Sequence, residues 1–362
     1  MNATDHDDLE RIRDRVLAAG RYGQGPGRKL EIRGGGTKAF YGREPTGKPL
    51  SVAEHRGIIA YEPTELVVSA RAGTRLDEIE SLLGRYGQHL PFEPPRFGPG
   101  STLGGAVACG LSGPRRPHSG AARDLVLGVR ILNGRGNDLR FGGQVMKNVA
   151  GYDVSRLMAG ALGTLGVLLE ISLKVMPRPE HECTLSWPMP LSEALERLLE
   201  WSRSPWPLSG TLHDGEQLFV RLSGAQPGVE AACRALGGDR LGDTESTALW
   251  SRVRDHRHPF LAEEGELWRL AVPEGTPPLP LPGRWVTTWG GTERWLRTEA
   301  ATEIVREVVA ASGGHATRFR GGPRSGNVFH PLSPGLARLH ARLKQAFDPA
   351  RVLNPGRMYP EF

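Results

Sequence analysis

The sequence predicts a two-domain protein of the α+β class, and three observations support this prediction. The chain has 362 residues, which is enough for two domains of ordinary size. Its front half alternates strand-like and helix-like patterns, whereas its back half has patterns typical of an antiparallel sheet with helices on one face. All eight tryptophans lie between Trp187 and Trp295, behind a glycine-rich front half. The prolines Pro177 and Pro179 stand where the composition changes, and they predict the domain boundary.

Each element follows from apolar periodicity and from the residues that turn or stop the chain. In the front half we expect a helix over residues 9–17, strands over 29–33 and 66–70, a helix over 74–86 capped by Thr74, a hairpin over 125–141 that turns at Asn133-Gly134, and a strand over 167–175. In the back half we expect helices over residues 191–201, 299–311 and 336–347, a hairpin over 211–220 that turns at Asp214-Gly215, and a tail over 348–357.

Composition argues against several classes of function. The net charge is +6, but the arginines are dispersed and do not alternate with stacking aromatic residues, so nucleic-acid binding is not favoured. A basic surface that attracts anionic small molecules fits equally well. No apolar stretch reaches the roughly 20 residues that a transmembrane helix needs. The three cysteines (Cys109, Cys183 and Cys233) lack the spacing of a metal or iron–sulfur site, so we expect no metal. With an acidic start that lacks a secretory pattern, these features predict a cytoplasmic protein.

Two nucleotide-binding patterns in the front half are decoys. Gly34, Gly36 and Ala39 match the dinucleotide pattern G-x-G-x-x-A after a strand, but the glycines and prolines that follow leave no room for the required helix. Gly42 and Lys48 have P-loop spacing, but a proline stands where a Ser or Thr hydroxyl must reach magnesium. Neither nicotinamide chemistry nor nucleotide hydrolysis is predicted.

Three glycine-rich clusters, at residues 34–36, 98–113 and 160–166, point to a binding site instead. Successive backbone N–H groups in the first cluster suit a phosphate pair. The small residues of the second allow the backbone to lie against a large planar ligand. Each cluster alone is also compatible with a surface turn or with close backbone packing. Their combination favours a cofactor site.

These clusters carry a resemblance to a known family. The stretches GGGT, PGSTLGGAVACG and AGALGTLGV, with the closing LNPGR, look like the FAD-binding domain of the vanillyl-alcohol oxidase (PCMH-type) flavoproteins. The chain is more closely similar to the FAD-binding subunits of bacterial glycolate oxidases, which it resembles specifically at residues 147–153 and 313–319. The resemblance implies a PCMH-type two-subdomain FAD-binding domain with an inserted α+β cap domain. The domains would be residues 1–178 for FAD binding, 179–339 for a cap that contacts substrate or another subunit, and 340–362 for a C-terminal helix and tail that return to the FAD domain.

The resemblance also implies a role for each cluster. The first glycine loop would bind the pyrophosphate, the second would line the flavin and ribityl chain, the third would lie near the adenine, and Asn354 would reach the isoalloxazine ring. Because residues 33–38 contain no histidine, we expect the FAD to be noncovalent. The implied cofactor-binding residues are Gly34, Gly35, Gly36, Thr37, Lys38, Pro99, Gly100, Thr102, Leu103, Gly104, Gly105, Ala108, Gly110, Gly163, Thr164, Gly166, Val167 and Asn354.

Catalytic residues are not evident. The chain lacks the Gly-Asp-Gly-Asn stretch with histidines that 2-hydroxy-acid oxidases of the resembled family usually carry. His315 and His330 are candidate bases, and Arg318 is a candidate carboxylate clamp, although a structural role is the simpler interpretation of each. The resemblance therefore implies one subunit of a glycolate-oxidising complex, with a second flavin-binding subunit and an iron–sulfur subunit as partners, in the cytoplasm or at the cytoplasmic face of the membrane. A stand-alone FAD-linked D-2-hydroxy-acid dehydrogenase of the lactate type and a non-catalytic assembly subunit remain the alternatives.

Overall fold

The computed structural model describes residues 6–21, 28–143 and 153–362 of the chain. Most of the predicted front-half elements are present, with ends that differ by a few residues. The helices of the front half are α1 (Leu9–Arg21), α2 (Leu76–Arg85), α3 (Leu103–Cys109), α4 (Arg116–Ser119), α5 (Ala122–Leu125) and α6 (Val154–Met158). The strands are β1 (Leu30–Arg33), β2 (Lys48–Ser51), β3 (Ile58–Glu62), β4 (Val67–Arg71), β5 (Gln88–His89), β6 (Val126–Leu132), β7 (Asp138–Gly142), β8 (Val167–Lys174) and β9 (Met176–Pro177).

The front half forms two small subdomains. In one, β3, β4, β8, β6 and β7 form an antiparallel five-stranded sheet in that order. Helices α2 and α3 pack on this sheet through buried residues such as Ile79 and Val107. In the other, α1 packs through Ile12 and Val16 on the parallel pair formed by β1 and β2. Burial of these apolar residues is the main driving force for both arrangements.

The start of α2 differs from the prediction. The N-cap is Arg75, which makes no side-chain capping bond. The Thr74 hydroxyl instead donates to the Gly57 carbonyl at 3.1 Å and accepts from the Gly57 N–H at 2.9 Å. Thr74 thus joins two loops, and this long-range pairing replaces the local cap that its position in the sequence suggested.

The back half is built on one antiparallel sheet of eight strands. Along the chain its strands are β10 (His181–Pro188), β11 (Leu208–His213), β12 (Gln217–Gly224), β13 (Asp239–Arg240), β14 (Leu267–Ala271), β15 (Arg284–Thr288), β16 (Glu293–Arg297) and β17 (His315–Arg320). Its helices are α7 (Leu191–Ser202), α8 (Gln226–Leu236), α9 (Asp243–Arg254), α10 (Pro259–Ala262) and α11 (Thr302–Ala311). Of these elements, α7, α11 and the hairpin formed by β11 and β12 were predicted, and the others were not.

The two faces of the eight-stranded sheet pack against different neighbours. Successive residues of a strand point to opposite faces. In β16, Leu296 accordingly belongs to the core beneath α11, whereas the adjacent Trp295 belongs to a cluster that also contains Tyr41 and Leu162 of the front half. At β16, one face of the sheet is therefore covered by α11, and the other face is covered by the front half together with α9 and α10.

The C-terminal segment returns to the front half. After α12 (Pro334–Phe347), the chain pairs in parallel with β1 at Leu353. Lys344, which is 1% exposed, donates to the Asp348 carboxylate at 2.7 Å and to the Thr164 carbonyl at 2.7 Å. This buried pair, with its remaining hydrogen bonds satisfied, holds the tail beside the glycine-rich turn at residues 160–166. Within the described ranges, no helix is long and apolar enough to cross a membrane.

Candidate functional site

A cleft with a cavity volume of about 110 Å³ lies between β1, α3, the turn at residues 160–166 and the tail. Many of the residues that the sequence analysis selected for FAD line it. They are Gly34, Gly35, Gly36, Thr37, Lys38, Thr102, Gly104, Gly105, Ala108, Gly163, Gly166 and Asn354. Segments that are far apart in the sequence thus meet at one cavity.

The first glycine loop needs its glycines for two different reasons. Gly36 has a φ of +72°, which favours glycine, and a Cβ atom there would have nothing within 4 Å. A Cβ at Gly35 would lie 1.5 Å from the Gly100 carbonyl oxygen, and one at Gly34 would lie 2.4 Å from Oγ1 of Thr102. The loop therefore packs directly against the second cluster at Gly34 and Gly35 and is open at Gly36.

The same loop presents unused hydrogen-bond donors. Within the described part of the chain, the backbone N–H groups of Gly35, Gly36, Thr37 and Lys38 have no hydrogen-bond acceptor. Consecutive free donors of this kind form an anion-binding concavity. The loop is suited to bind a pyrophosphate.

The second cluster positions α3 beside this loop. Thr102 is the N-cap of α3, and its hydroxyl accepts from the Gly105 N–H at 3.3 Å. A Cβ at Gly104 would lie 2.7 Å from the Cβ of Ala72, so glycine is required for α3 to approach the end of β4. Gly105 has more space, since the nearest atom to a Cβ there is Oγ1 of Thr102 at 3.2 Å. Small residues therefore keep this wall of the cleft flat.

Lys38 brings a buried positive charge to the cleft. Its side chain donates to Oγ of Ser101 at 2.6 Å and lies 3.5 Å from the Arg96 carbonyl. Lys38 is 7% exposed, and this burial lowers the pKa of its ammonium from 10.5 to about 8. No carboxylate of the described residues lies within salt-bridge distance of it. Lys38 thus joins the first two clusters and leaves its charge available to a ligand.

The third cluster and the tail meet at Asn354. Its Oδ1 accepts from the Ile32 N–H at 2.7 Å, and its Nδ2 donates to the Leu162 carbonyl at 2.5 Å. A Cβ at Gly163 would lie 2.8 Å from Nδ2 of Asn354. Asn354 and Gly163 are therefore neighbours, and the geometry gives no support to the expectation that they serve opposite ends of the cofactor.

Several residues expected to bind FAD do not line the cleft, each for a packing reason. Leu103 and Val167 belong to buried cores. The Thr164 hydroxyl donates to the Ala161 carbonyl at 2.7 Å, and Gly110 ends α3 with a φ of +62° against Gly160. The remaining members of this group are Pro99, which is exposed, and Gly100, whose carbonyl oxygen packs directly against Gly35.

The candidate catalytic residues lie outside the cleft. Arg318 is committed to Glu266, whose carboxylate lies 3.1 Å away. His330 faces the Ala316 N–H at 3.4 Å, and His315 is exposed at the start of β17. Within residues 6–21, 28–143 and 153–362, no histidine lines the cleft. Of the two segments that carried the closest resemblance, residues 313–319 do not line it and residues 147–152 lie outside the described part of the chain.

Sequence reasoning missed Arg357, and it did not single out Cys109, although it assigned the stretch from Gly100 to Gly110 to the flavin. Cys109 ends α3, and Arg357 is three residues beyond Asn354. Both fall inside motifs that were recognised, GGAVACG and LNPGR, so the signal was present. The motifs did not show that these two side chains point into the cleft.

An aromatic cluster lies where the front half meets the eight-stranded sheet. Tyr41 and Phe319 are buried together with Trp295, and the ring of His256 stacks on Phe319 with centroids 4.9 Å apart. Burial raises the pKa of Tyr41 to about 12 and keeps the pKa of His256 well below 6.5. Both groups are accordingly neutral near pH 7.

Comparisons with known proteins identify an FAD binding domain in the front half of the chain. Residues 11–142 match a family model described as an FAD binding domain. The chain is 49% identical to the glycolate oxidase subunit GlcE of Escherichia coli over 92% of its own length and 93% of the relative. It is 34% identical to the glycolate oxidase subunit GlcD of Bacillus subtilis, over 42% of its length and 33% of the relative.

A solved structure of alkyldihydroxyacetonephosphate synthase has the same fold, with a TM-score of 0.66 and 16% identity over 97% of this chain and 74% of that chain. The predicted fold class, a PCMH-type FAD-binding domain with an α+β cap, is confirmed. With the GlcE similarity extending over nearly the full length of both chains, this protein belongs to the family of GlcE subunits of glycolate oxidase and carries an FAD binding domain.

Proposed function

We propose that this chain is the FAD-binding subunit of a complex that oxidises glycolate to glyoxylate. The observation that carries the proposal is the 49% identity to a glycolate oxidase subunit over 92% of the chain, together with the cleft at which the three glycine clusters meet. FAD, when bound, supplies the acceptor for the hydride that leaves the 2-hydroxy acid. The residues of this chain hold the cofactor and set its electrostatic surroundings.

The cleft fits FAD in its donors and its shape. The free N–H groups of Gly35 to Lys38 match the two charges of the pyrophosphate. The wall formed by Gly104, Gly105 and Ala108 is free of long side chains and matches the ribityl chain and flavin. We expect the FAD to be noncovalent, since the first loop has no histidine.

The partners that we propose are a second flavin-binding subunit and an iron–sulfur subunit. An iron–sulfur centre is typically held by four cysteines. The three cysteines of this chain are divided between the cap core, where Cys183 and Cys233 are neighbours, and the cleft, where Cys109 lies. No histidine base lines its cleft in the described residues. A second subunit would therefore supply the groups that deprotonate and orient the substrate. We place the complex in the cytoplasm or, through its partners, at the cytoplasmic face of the membrane.

Purification of the chain from its host, with identification of the proteins that come with it, tests this proposal. We expect a yellow preparation that contains FAD, a second flavoprotein and an iron–sulfur protein. A colourless preparation with bound partners would instead favour the assembly-subunit alternative. A yellow chain without partners that oxidises lactate would favour a stand-alone dehydrogenase.

A further inference from the structure

The outer face of α12 carries an apolar stripe that the described part of the chain leaves half exposed. Leu336 and Leu339 are 50% and 51% exposed, and Leu343 is partly buried against the core of the five-stranded sheet. Because residues three and four apart share one face of a helix, the three leucines form a continuous stripe. Contiguous exposed apolar side chains are typical of protein interaction sites.

The stripe leads into a groove with a cavity volume of about 260 Å³. The groove lies between α6, the turn at residues 160–166, α12 and the tail, and Leu343 belongs to its wall. Its other large apolar lining residues are Leu157, Leu165, Met358 and Phe362. The groove therefore offers a place in which a docked protein buries an apolar side chain beside the stripe.

The charge around the stripe and the groove is basic. Arg338 and Arg342 lie on α12 beside the stripe, and Arg123 and Arg156 line the groove. Arg156 is paired with Asp153 at 3.0 Å, whereas the other three arginines have no carboxylate of the described residues within salt-bridge distance. No Asp or Glu side chain of the described ranges lines the groove. Arginine is enriched at protein interfaces, and this surface is complementary to an apolar segment flanked by acidic residues.

The groove shares a wall with the cofactor cleft. Both cavities are lined by the turn at residues 160–166, where Leu162 lines the cleft and Ala161 and Thr164 line the groove. Lys344 of α12 donates to the Thr164 carbonyl at 2.7 Å and so fixes the helix to this turn. A protein docked in the groove is therefore separated from the cofactor site by one turn of the chain.

We propose that the stripe formed by Leu336, Leu339 and Leu343, with the adjoining groove, docks the iron–sulfur subunit of the complex through an apolar segment flanked by acidic residues. The inference rests on the proposed function. A surface beside the cofactor cleft suits the subunit that accepts electrons from FAD. In that step FADH₂ gives up two electrons, which convert two ferric ions of the clusters to ferrous, and two protons, which pass to water.

The first experiment maps the contact by photo-cross-linking in the complex of this chain with its two proposed partner subunits. The cross-linking residue p-benzoylphenylalanine replaces Leu339 in one variant and Ile304 in another. Ile304 is the matched control, since it is also 51% exposed on a helix but lies on α11, away from the stripe. After irradiation, mass spectrometry identifies the joined peptides. We expect position 339 to be joined to the iron–sulfur subunit and position 304 to give only the background level.

The second experiment tests the charge beside the stripe. Arg342→Glu reverses one unpaired arginine of α12, and Arg234→Glu reverses an exposed arginine of α8 that likewise has no carboxylate of the described residues within salt-bridge distance. We expect Arg342→Glu to reduce the iron–sulfur subunit retained on the tagged chain by about tenfold or more, because like charges then meet at the interface. Arg234→Glu should retain it as the wild type does. The FAD content of each variant reports whether it is folded.

A cross-link from position 339 to the second flavin-binding subunit, or to another copy of this chain, would overturn the inference. Equal cross-linking from positions 339 and 304, or an intact complex without a cross-link from 339, would also overturn it. If the variant at Leu339 loses FAD, Arg342→Glu decides the question, since equal retention in the two arginine variants contradicts the inference. A wild-type chain that purifies with no iron–sulfur protein would refute the proposed function itself, which is a distinct result.

Discussion

Lys38 offers a sharp test of the cofactor site, because its burial has opposite consequences for stability and for binding. The pKa of Lys38 is lowered from 10.5 to about 8 in the folded protein. A shift of one pKa unit corresponds to 1.36 kcal/mol, so the charged ammonium of Lys38 destabilises the folded state by about 3 kcal/mol at pH 7. Replacement of Lys38 by Met removes that cost, but it also removes the hydrogen bond to Ser101, which contributes about 1 kcal/mol.

We therefore expect K38M to raise the free energy of unfolding of the FAD-free protein by about 2 kcal/mol at pH 7. The sign follows from linkage. A base with a lowered pKa destabilises the folded state fully below about pH 8, and the effect disappears as the pH rises from about 8 to 10.5. The advantage of K38M should disappear over that range and reverse slightly above it. Urea unfolding of both proteins at several pH values measures the difference.

FAD binding should change in the opposite direction. The loss of a buried cation beside the pyrophosphate donors should weaken FAD binding to K38M at least tenfold at pH 7, as measured by the quenching of FAD fluorescence. The control S101A removes the hydroxyl partner but keeps the charge, so it should destabilise the protein without the pH dependence. A K38M protein that is less stable than the wild type at pH 7, or that binds FAD equally well, would refute this reasoning.

Two further predictions concern the placement and the linkage of FAD. Gly36→Leu should abolish FAD binding, because its side chain would enter the cleft; Gly237→Leu is the control, since Gly237 also has a positive φ (+67°) and nothing within 4 Å but lies outside the cleft. Full FAD content in a folded Gly36→Leu variant would show that the loop is wrongly assigned. After acid precipitation, the flavin should stay in the supernatant, and flavin fluorescence in the washed pellet would contradict noncovalent binding.

Local sequence patterns were sufficient for elements such as α1, α7 and β8 because helix and strand periodicities depend on near neighbours. The hairpin formed by β6 and β7 is one example, in which Asn133 accepts from the Arg135 and Asn137 N–H groups and closes the turn. Helix α9 was missed because only Trp250 and Val253 of its residues are buried, which leaves a weak apolar stripe. Apolar periodicity arises from a buried face, so it does not predict elements that have few buried residues.

The contacts that make the site were beyond such patterns. Lys38 reaches Ser101, and Asn354 reaches Leu162, across separations of 63 and 192 residues. The glycine content predicted that backbones approach closely but not which loops meet. The resemblance selected loops that do meet at one cleft, and it assigned Asn354 and Gly163 to different ends of the cofactor although they are neighbours. The sequence also did not show in which direction a side chain points, and in the structure Arg357 lines the cleft whereas Thr164 does not.

The contrast between a well-formed cofactor cleft and the lack of a base beside it leads to a final prediction. Flavin accepts the hydride, but the reaction also needs a group that removes the hydroxyl proton and a group that orients the carboxylate. Loss of a positioned base typically costs about 10²–10⁴ in rate. In the described residues the cleft has no histidine, and His256, the histidine stacked in the neighbouring aromatic cluster, is buried against Phe319.

We therefore expect the isolated, FAD-loaded chain to oxidise glycolate slowly or not at all, and we expect the addition of its partner subunits to restore the rate without a change in the FAD content of this chain. Steady-state assays with an artificial electron acceptor measure both conditions. The reduction of bound FAD by excess glycolate under anaerobic conditions separates slow chemistry from slow reoxidation. Rapid turnover by the isolated chain that is lost in H315A or H330A would contradict this view, because it would place the base on this subunit and make the chain a dehydrogenase in its own right.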